Sequence, residues 1–149
     1  MLKQGDIAPV FEGIDQNGKP IRSSDYKGKK YVVFFYPKAD TPGCTAEVCN
    51  LRDHYSKLKT QGYELIGVSA DTITKQNKFQ KKYRLPFPLV VDENKEIIRA
   101  FGVWGQKKFL NKTFDGILRK TFIIDEQSIV TRVIEDVKTK AHAAQILDH

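Results

Sequence analysis

Residues 31–36 read Tyr-Val-Val-Phe-Phe-Tyr, six apolar or aromatic side chains with no polar interruption. A strand with one solvated face alternates apolar and polar; an unbroken run of this kind is a strand covered on both faces. Pro37 ends it. Tyr63 to Ala70 is a second run of this type, and Leu89 to Val91 a short third. Thr121 to Ile124 and Ile129 to Ile134 read as two further strands, and the short Asp125–Ser128 connection makes them an antiparallel hairpin. Near the start, Asn17-Gly18 lies within Asp15–Pro20 and signals a small N-terminal β-hairpin.

Helical patterns fall between these strands. Thr45 to Thr60 places Val48, Leu51, Tyr55 and Leu58 at spacings of three and four, with Gly62 as its stop. Thr74 to Tyr83 is a polar, surface-type helix that Asp71 or Thr72 can cap. Asn94 to Phe101 ends before Gly102, and Lys138 to Leu147 closes the chain. The order β-α-β-α-β-α-β-β-α, with strands buried on both faces, predicts an α/β layered fold whose central sheet is mixed and flanked by helices. A thioredoxin-like arrangement fits that order. A flavodoxin-like sheet competes, but the terminal hairpin counts against it. The 149 residues suit one domain, residues 1–149, with no repeat and no linker.

Charge excludes less than it first suggests. The chain carries +7, yet its 25 basic residues are interspersed with 18 acidic ones. The densest groups, Lys27-Gly28-Lys29-Lys30, Lys81-Lys82-Tyr83-Arg84 and Lys107-Lys108, are short and read as solvated surface rather than a nucleic-acid site, with at most a mild attraction for an acidic protein partner. Residues 1–10 hold no apolar leader segment, and no apolar run reaches the roughly 20 residues of a membrane span. A chain this long needs no disulfide staple, so two cysteines point to the cytoplasm and to chemistry. Structural zinc ligands pair at spacings of two to four; two cysteines five apart, with His54, His142 and His149 scattered, do not make such a site.

The informative segment runs from Pro37 to Cys49, Pro-Lys-Ala-Asp-Thr-Pro-Gly-Cys-Thr-Ala-Glu-Val-Cys. It follows a buried strand and opens a helix, the place where open α/β sheets bind ligands. Cys44 falls in the first helical turn, where free backbone N–H groups and the positive end of the helix dipole favour a thiolate, the nucleophilic form. Pro42 and Gly43 suit a close approach to the backbone. On an intact helix, five residues separate Cys44 and Cys49 by a rise of roughly 7.5 Å, leaving their Cα atoms roughly 8–9 Å apart on different faces. A disulfide needs about 7 Å or less. The pair therefore makes a poor staple and suits a cycle between a folded dithiol and a locally unwound, bonded state.

At these residues the sequence resembles a known family. Pro37-x-x-x-Thr41-x-x-Cys44 is similar to the active-site motif of the peroxiredoxins, and Thr41-Pro42-Gly43-Cys44-Thr45-x-Glu47-x-Cys49 resembles the peroxiredoxin Q, or bacterioferritin comigratory protein, subfamily. The likeness spans nearly the whole chain: Gly5-Asp6-x-Ala8-Pro9-x-Phe11, Val68-Ser69-x-Asp71, Phe87-Pro88-Leu89-x-x-Asp92, Gly102-Val103-Trp104-Gly105 and Gly116 to Asp125 all fit. It implies a thioredoxin fold, reduction of hydrogen peroxide and organic hydroperoxides, recycling by thioredoxin or a similar dithiol protein, and no metal, haem or flavin.

The resemblance also assigns roles. Cys44 attacks the terminal peroxide oxygen and becomes a sulfenic acid. Arg119 matches the arginine beside this sulfur, a fixed cation that favours the thiolate and orients the peroxide. Thr41 can hydrogen-bond the peroxide or cap the helix. Pro37 shields the site while contributing no N–H donor. Cys49 then closes an intramolecular disulfide with Cys44, which requires no second subunit and favours a monomer. Glu47 matches a position near the site, although a first-turn carboxylate also suits the helix dipole. Val48, Leu51 and Asn111 depart from residues common in the family and bear on packing and loop shape. Phe101, Trp104, Phe109 and Phe114 read as core or loop packing rather than a binding box. Two competing readings remain: a thioredoxin-type disulfide oxidoreductase, weakened by the absence of Cys-x-x-Cys, and a basic binding module with an incidental cysteine pair.

Overall fold

A computed structural model describes residues 2–148. Met1 and His149, the last of the three scattered histidines, lie outside the described residues.

Seven strands form one mixed sheet: β1 (Glu12–Asp15), β2 (Pro20–Arg22), β3 (Lys30–Phe35), β4 (Tyr63–Ser69), β5 (Leu89–Val91), and, after a separate hairpin of β6 (Trp104–Phe109) and β7 (Lys112–Ile117), β8 (Thr121–Ile124) and β9 (Val130–Ile134). Their order is β2-β1-β5-β4-β3-β8-β9. β3, β4 and β5 are parallel; β8 runs antiparallel to β3 and pairs antiparallel with β9. That antiparallel edge is what a flavodoxin-like sheet lacks.

The unbroken apolar runs do what both-face burial requires. Tyr31, Val33 and Phe35 enter one apolar cluster with Ile66, Val68, Ile98, Phe101 and Phe122. Their neighbours Val32, Phe34 and Tyr36 enter the other, with Leu65, Val48, Leu51, Phe79 and Ile146. The alternation of strand side chains thus feeds two cores from one strand. At the centre, Gly67 leaves room that a side chain would fill: an added Cβ would stand 2.8 Å from Phe34 Cζ and 2.9 Å from Leu89 Cδ2.

Helices α1 (Pro42–Asp53), α2 (Tyr55–Thr60), α3 (Ile73–Tyr83), α4 (Glu96–Ala100) and α5 (His142–Leu147) complete the layers. The expected single helix over 45–60 is two. It starts earlier, with Pro42 in the first helical position where a missing N–H costs nothing, and it breaks at exposed His54, whose backbone leaves helical dihedrals. Asn50 fastens α1 to the C-terminal segment: its side chain donates to Lys140 O (3.0 Å) and accepts from Ala143 N (2.8 Å).

The β6–β7 hairpin was not expected from the sequence. Its turn, Leu110–Asn111, has φ of 49° and 64°, the left-handed pair of a tight hairpin turn, which Asn tolerates. Packing of all four aromatics is corrected here. Phe101 is buried and Trp104 half-buried, but Phe109 and Phe114 are exposed on the hairpin.

Candidate active site

The site forms where β3 leaves the sheet. Phe35 N donates to Lys120 O (2.9 Å), so the segment between β7 and β8 passes beside the end of β3 and delivers Arg119 to the start of α1. The intervening loop is pinned from a third side. Asp71 accepts from Ala39 N (2.7 Å) and from Ser69 Oγ (2.7 Å). Asp40, at φ 59°, accepts from Lys82 Nζ and from Tyr83 Oη (2.8 Å).

Cys44 is the third residue of α1. Arg119 spans it and Glu47, one turn on: Nη2 donates to Cys44 Sγ at 3.4 Å and Nη1 to Glu47 Oε1 at 2.7 Å. Burial works against the charge on Arg119, yet the sulfur and the carboxylate beside it hold its pKa above the ordinary value. Gly43 permits this approach, since a Cβ there would lie 3.2 Å from Nη2. Lys107 brings a second cation nearby, its Nζ donating to Ile117 O (2.9 Å), with burial lowering its pKa. The Cys44 side chain is more enclosed than a helix entrance suggests, at 1% exposure against the apolar cluster of Val48 and Leu51.

Glu47 does not serve the helix dipole as the sequence suggested: α1 starts at Pro42, which puts Glu47 beyond its first turn. It is fully buried, and Oε2 has no hydrogen-bond partner. Burial pushes its carboxyl up to about 7 against the pull of Arg119. Its orphan oxygen faces His142 Nε2 at 3.7 Å. His142, on α5, is buried too, and burial depresses its pKa to about 4. Its tautomer follows from its neighbours. Gln145 donates from Nε2 to Asp136 O and accepts at Oε1 from Lys138 N, so its Oε1 must accept from His142 Nδ1–H (2.8 Å). Nε2 is then the lone-pair nitrogen, and the Thr121 hydroxyl donates to it (2.7 Å). One guanidinium faces two potential anions here, and a buried cluster is cheapest with one of them neutral.

Thr41 stands at the N-cap position, but its hydroxyl does not cap. It donates to Lys38 O (2.7 Å), which leaves its oxygen lone pairs open to an incoming O–H donor. Pro37 lies half-buried at the strand end. Cys49, half-buried, is on the same intact helix as Cys44; both are free thiols, and burial raises the Cys49 pKa. The sequence therefore nominated Cys44, Arg119, Thr41 and Pro37 in one place. It missed Asp71 as the loop's anchor and His142 and Thr121 as the backing of Glu47; Asp71 and Thr121 lay within segments that matched, whereas nothing local marks His142.

The AhpC/TSA family model matches residues 4–133. The chain belongs to the AhpC/TSA family of peroxiredoxins. Peroxiredoxin Bcp of Escherichia coli strain K12 is 44% identical over 147 residues, covering 99% of this chain and 94% of that one. Among solved structures, peroxidoxin BcpB of Mycobacterium tuberculosis superposes with a TM-score of 0.87 at 36% identity, covering 99% and 95%. Peroxiredoxin Q of Xanthomonas campestris gives 0.86 at 31%, covering 92% and 87%. This peroxiredoxin has the thioredoxin-like fold of those neighbours and is a thiol-dependent peroxidase. Peroxiredoxins act on hydroperoxides and are reduced by thioredoxin-like partners. No helix among the described residues is long and apolar enough to cross a membrane.

Proposed function

We propose that Cys44 is the attacking thiolate of this peroxidase and that Cys49 resolves the oxidised sulfur. The observation that carries this reading is the Arg119 fork, one guanidinium bonded to both Cys44 Sγ and Glu47. A fixed cation there stabilises negative charge on sulfur and, as the O–O bond breaks, on the departing oxygen. The Thr41 oxygen accepts from the peroxide hydroxyl, and Pro37 shields the site from water while contributing no N–H donor. Sulfur attacks the terminal oxygen, the O–O bond breaks, and water or an alcohol leaves with a proton, giving the Cys44 sulfenic acid.

Cys49 thiolate then attacks the Cys44 sulfur. An S–S bond forms and hydroxide departs as water. With both cysteines on one helix, this step requires the first turns of α1 to unwind. The resulting disulfide is reduced by thioredoxin or a similar dithiol protein. Because the bond is internal, a single-domain monomer over residues 1–149 suffices, and the cytoplasm, where reduced thiols persist, is the fitting compartment. Hydrogen peroxide and organic hydroperoxides are both substrates, without a metal, haem or flavin. Alkyl peroxide reduction is described for a bacterioferritin comigratory protein of Xanthomonas campestris, 28% identical at a TM-score of 0.87.

Stopped-flow oxidation with intact-mass detection tests the scheme. Cys44→Ser abolishes peroxide consumption. Cys49→Ser completes one turnover, accumulates the +16 Da sulfenic acid (about one oxygen atom), loses thioredoxin-dependent recycling and overoxidises more readily. A Cys44→Ser protein that consumes peroxide at the wild-type rate overturns the assignment.

A further inference from the structure

A groove of about 640 Å³ lies between the Lys38–Asp40 loop and α3. Five of its lining residues are lysines, Lys38, Lys75, Lys78, Lys81 and Lys82, all exposed. α3 carries no acidic residue. Lys75, Lys78 and Lys82 recur at spacings of three and four, a like-charge stripe that weakens a helix. Lys75 sits in the first turn, where the helix dipole disfavours a cation. Of these five lysines only Lys82 has an ion-pair partner among the described residues, Asp40. Apart from the Lys82–Asp40 pair, the fold gains nothing from this arrangement, and the aliphatic lysine stems give the groove apolar walls under a cationic rim.

Its position relative to the thiols gives the arrangement a use. Asp40, at the groove's edge, bonds Tyr83 Oη, and the Tyr83 carbonyl accepts from Arg52 Nη1 (2.7 Å). Arg52 follows Cys49 by three residues, so both lie on the face of α1 that meets the end of α3. Ala39, Cys49 and Tyr83 all pack on the edge of the apolar cluster that contains Cys44. The cationic groove therefore flanks the surface through which a Cys44–Cys49 disulfide must be reached.

We infer that this lysine-rimmed groove docks the acidic face of the dithiol reductant protein, an inference that rests on the recycling step above. Docking places a reductant thiolate beside Cys49. That thiolate attacks the Cys49 sulfur, forming a mixed disulfide and releasing Cys44 as thiolate. The second reductant thiol then displaces Cys49, so the reductant leaves oxidised and both cysteines end reduced with two electrons and their protons. Complementary charge sets encounter rate and orientation more than chemistry.

The test compares Lys75→Glu/Lys78→Glu with Lys27→Glu/Lys29→Glu, a control that removes the same net charge at another exposed site. Thioredoxin-dependent kcat/KM of the groove variant falls about tenfold or more at low ionic strength, and the loss shrinks as salt screens it. Its dithiothreitol-supported turnover and its stopped-flow oxidation by hydrogen peroxide stay within about twofold of wild type, as chemistry remote from the lysines requires, and the control keeps most of its thioredoxin kcat/KM. A groove variant with wild-type thioredoxin kinetics overturns the inference, as does a control that loses as much. Equal loss with dithiothreitol or in the peroxide step also overturns it, because the groove then serves the small substrate. So does loss of polyanion binding without any change in thioredoxin kinetics, which assigns the lysines to nucleic acid. A wild-type enzyme recycled by neither reductant overturns the parent scheme, and docking falls with it. Wild-type recycling by dithiothreitol but not thioredoxin removes the docking inference alone.

Discussion

Replacing His142 with glutamine should make the protein less stable at neutral pH and more stable in acid. The ring is buried and neutral, bonded to Gln145 and Thr121. Burial holds its pKa at about 4, against 6.5 for the free group. Between those values the unfolded chain binds a proton on this ring and the folded chain does not, so wild-type stability falls as pH falls through the window. The difference corresponds to about 3 kcal/mol in full, of which about 2 kcal/mol is lost between pH 7 and 4.5. The substituted amide can still meet the Thr121 hydroxyl but forfeits the Gln145 bond, a cost of about 1 kcal/mol that does not depend on this titration. Glu47 tilts stability the other way: with its pKa raised to about 7, it stabilises the fold most below 4.5 and progressively less as pH rises to 7. That slope is present in both proteins and largely cancels in their difference. Urea unfolding followed by circular dichroism should give curves of stability against pH that cross, roughly between pH 5 and 6. A constant deficit across the range would mean that His142 titrates normally and that the neutral cluster behind Arg119 is wrong.

Further outcomes follow from single contacts. Gly43→Ala presses on Arg119 Nη2 and should slow peroxide oxidation roughly tenfold in stopped flow while leaving urea stability within about 0.5 kcal/mol. Arg119→Lys cannot fork between Cys44 and Glu47; losing one charge-assisted bond of about 1.5–3 kcal/mol lowers the second-order rate constant by about ten- to a hundredfold. Gly67→Ala is the converse case: it overpacks Phe34 and Leu89, costing about 1–3 kcal/mol in urea unfolding with the oxidation rate of the folded enzyme unchanged.

The parts of the fold that sequence disclosed are those where one local pattern decides. Residues 31–36 could only be a doubly covered strand, and Gly62, at φ 88°, stopped the helical segment where expected. Cys44, Thr41 and Pro37 were nameable because a motif ties them to a strand-to-helix turn, and Arg119 because the segment that carries it resembles the same family. The β6–β7 hairpin escaped because its strands are short, charged and largely exposed, so no apolar face announces them. Glu47 was placed near the site, but its burial escaped. A helical carboxylate is ordinarily solvated, and the burial of this one depends on Arg119 and His142, which only the folded chain brings near. The same holds for His142, whose role depends on Thr121 from a strand and Gln145 from its own helix.

Cys44 and Glu47 occupy successive positions on one face of a single helical turn, and the same guanidinium grips both. If that turn loosens so that the sulfur can swing toward another thiol, Arg119 releases both groups in one event. In the proposed cycle the activating charge and the mobile sulfur are therefore mutually exclusive, an interlock in which the molecule is armed only while closed and can be discharged only while open.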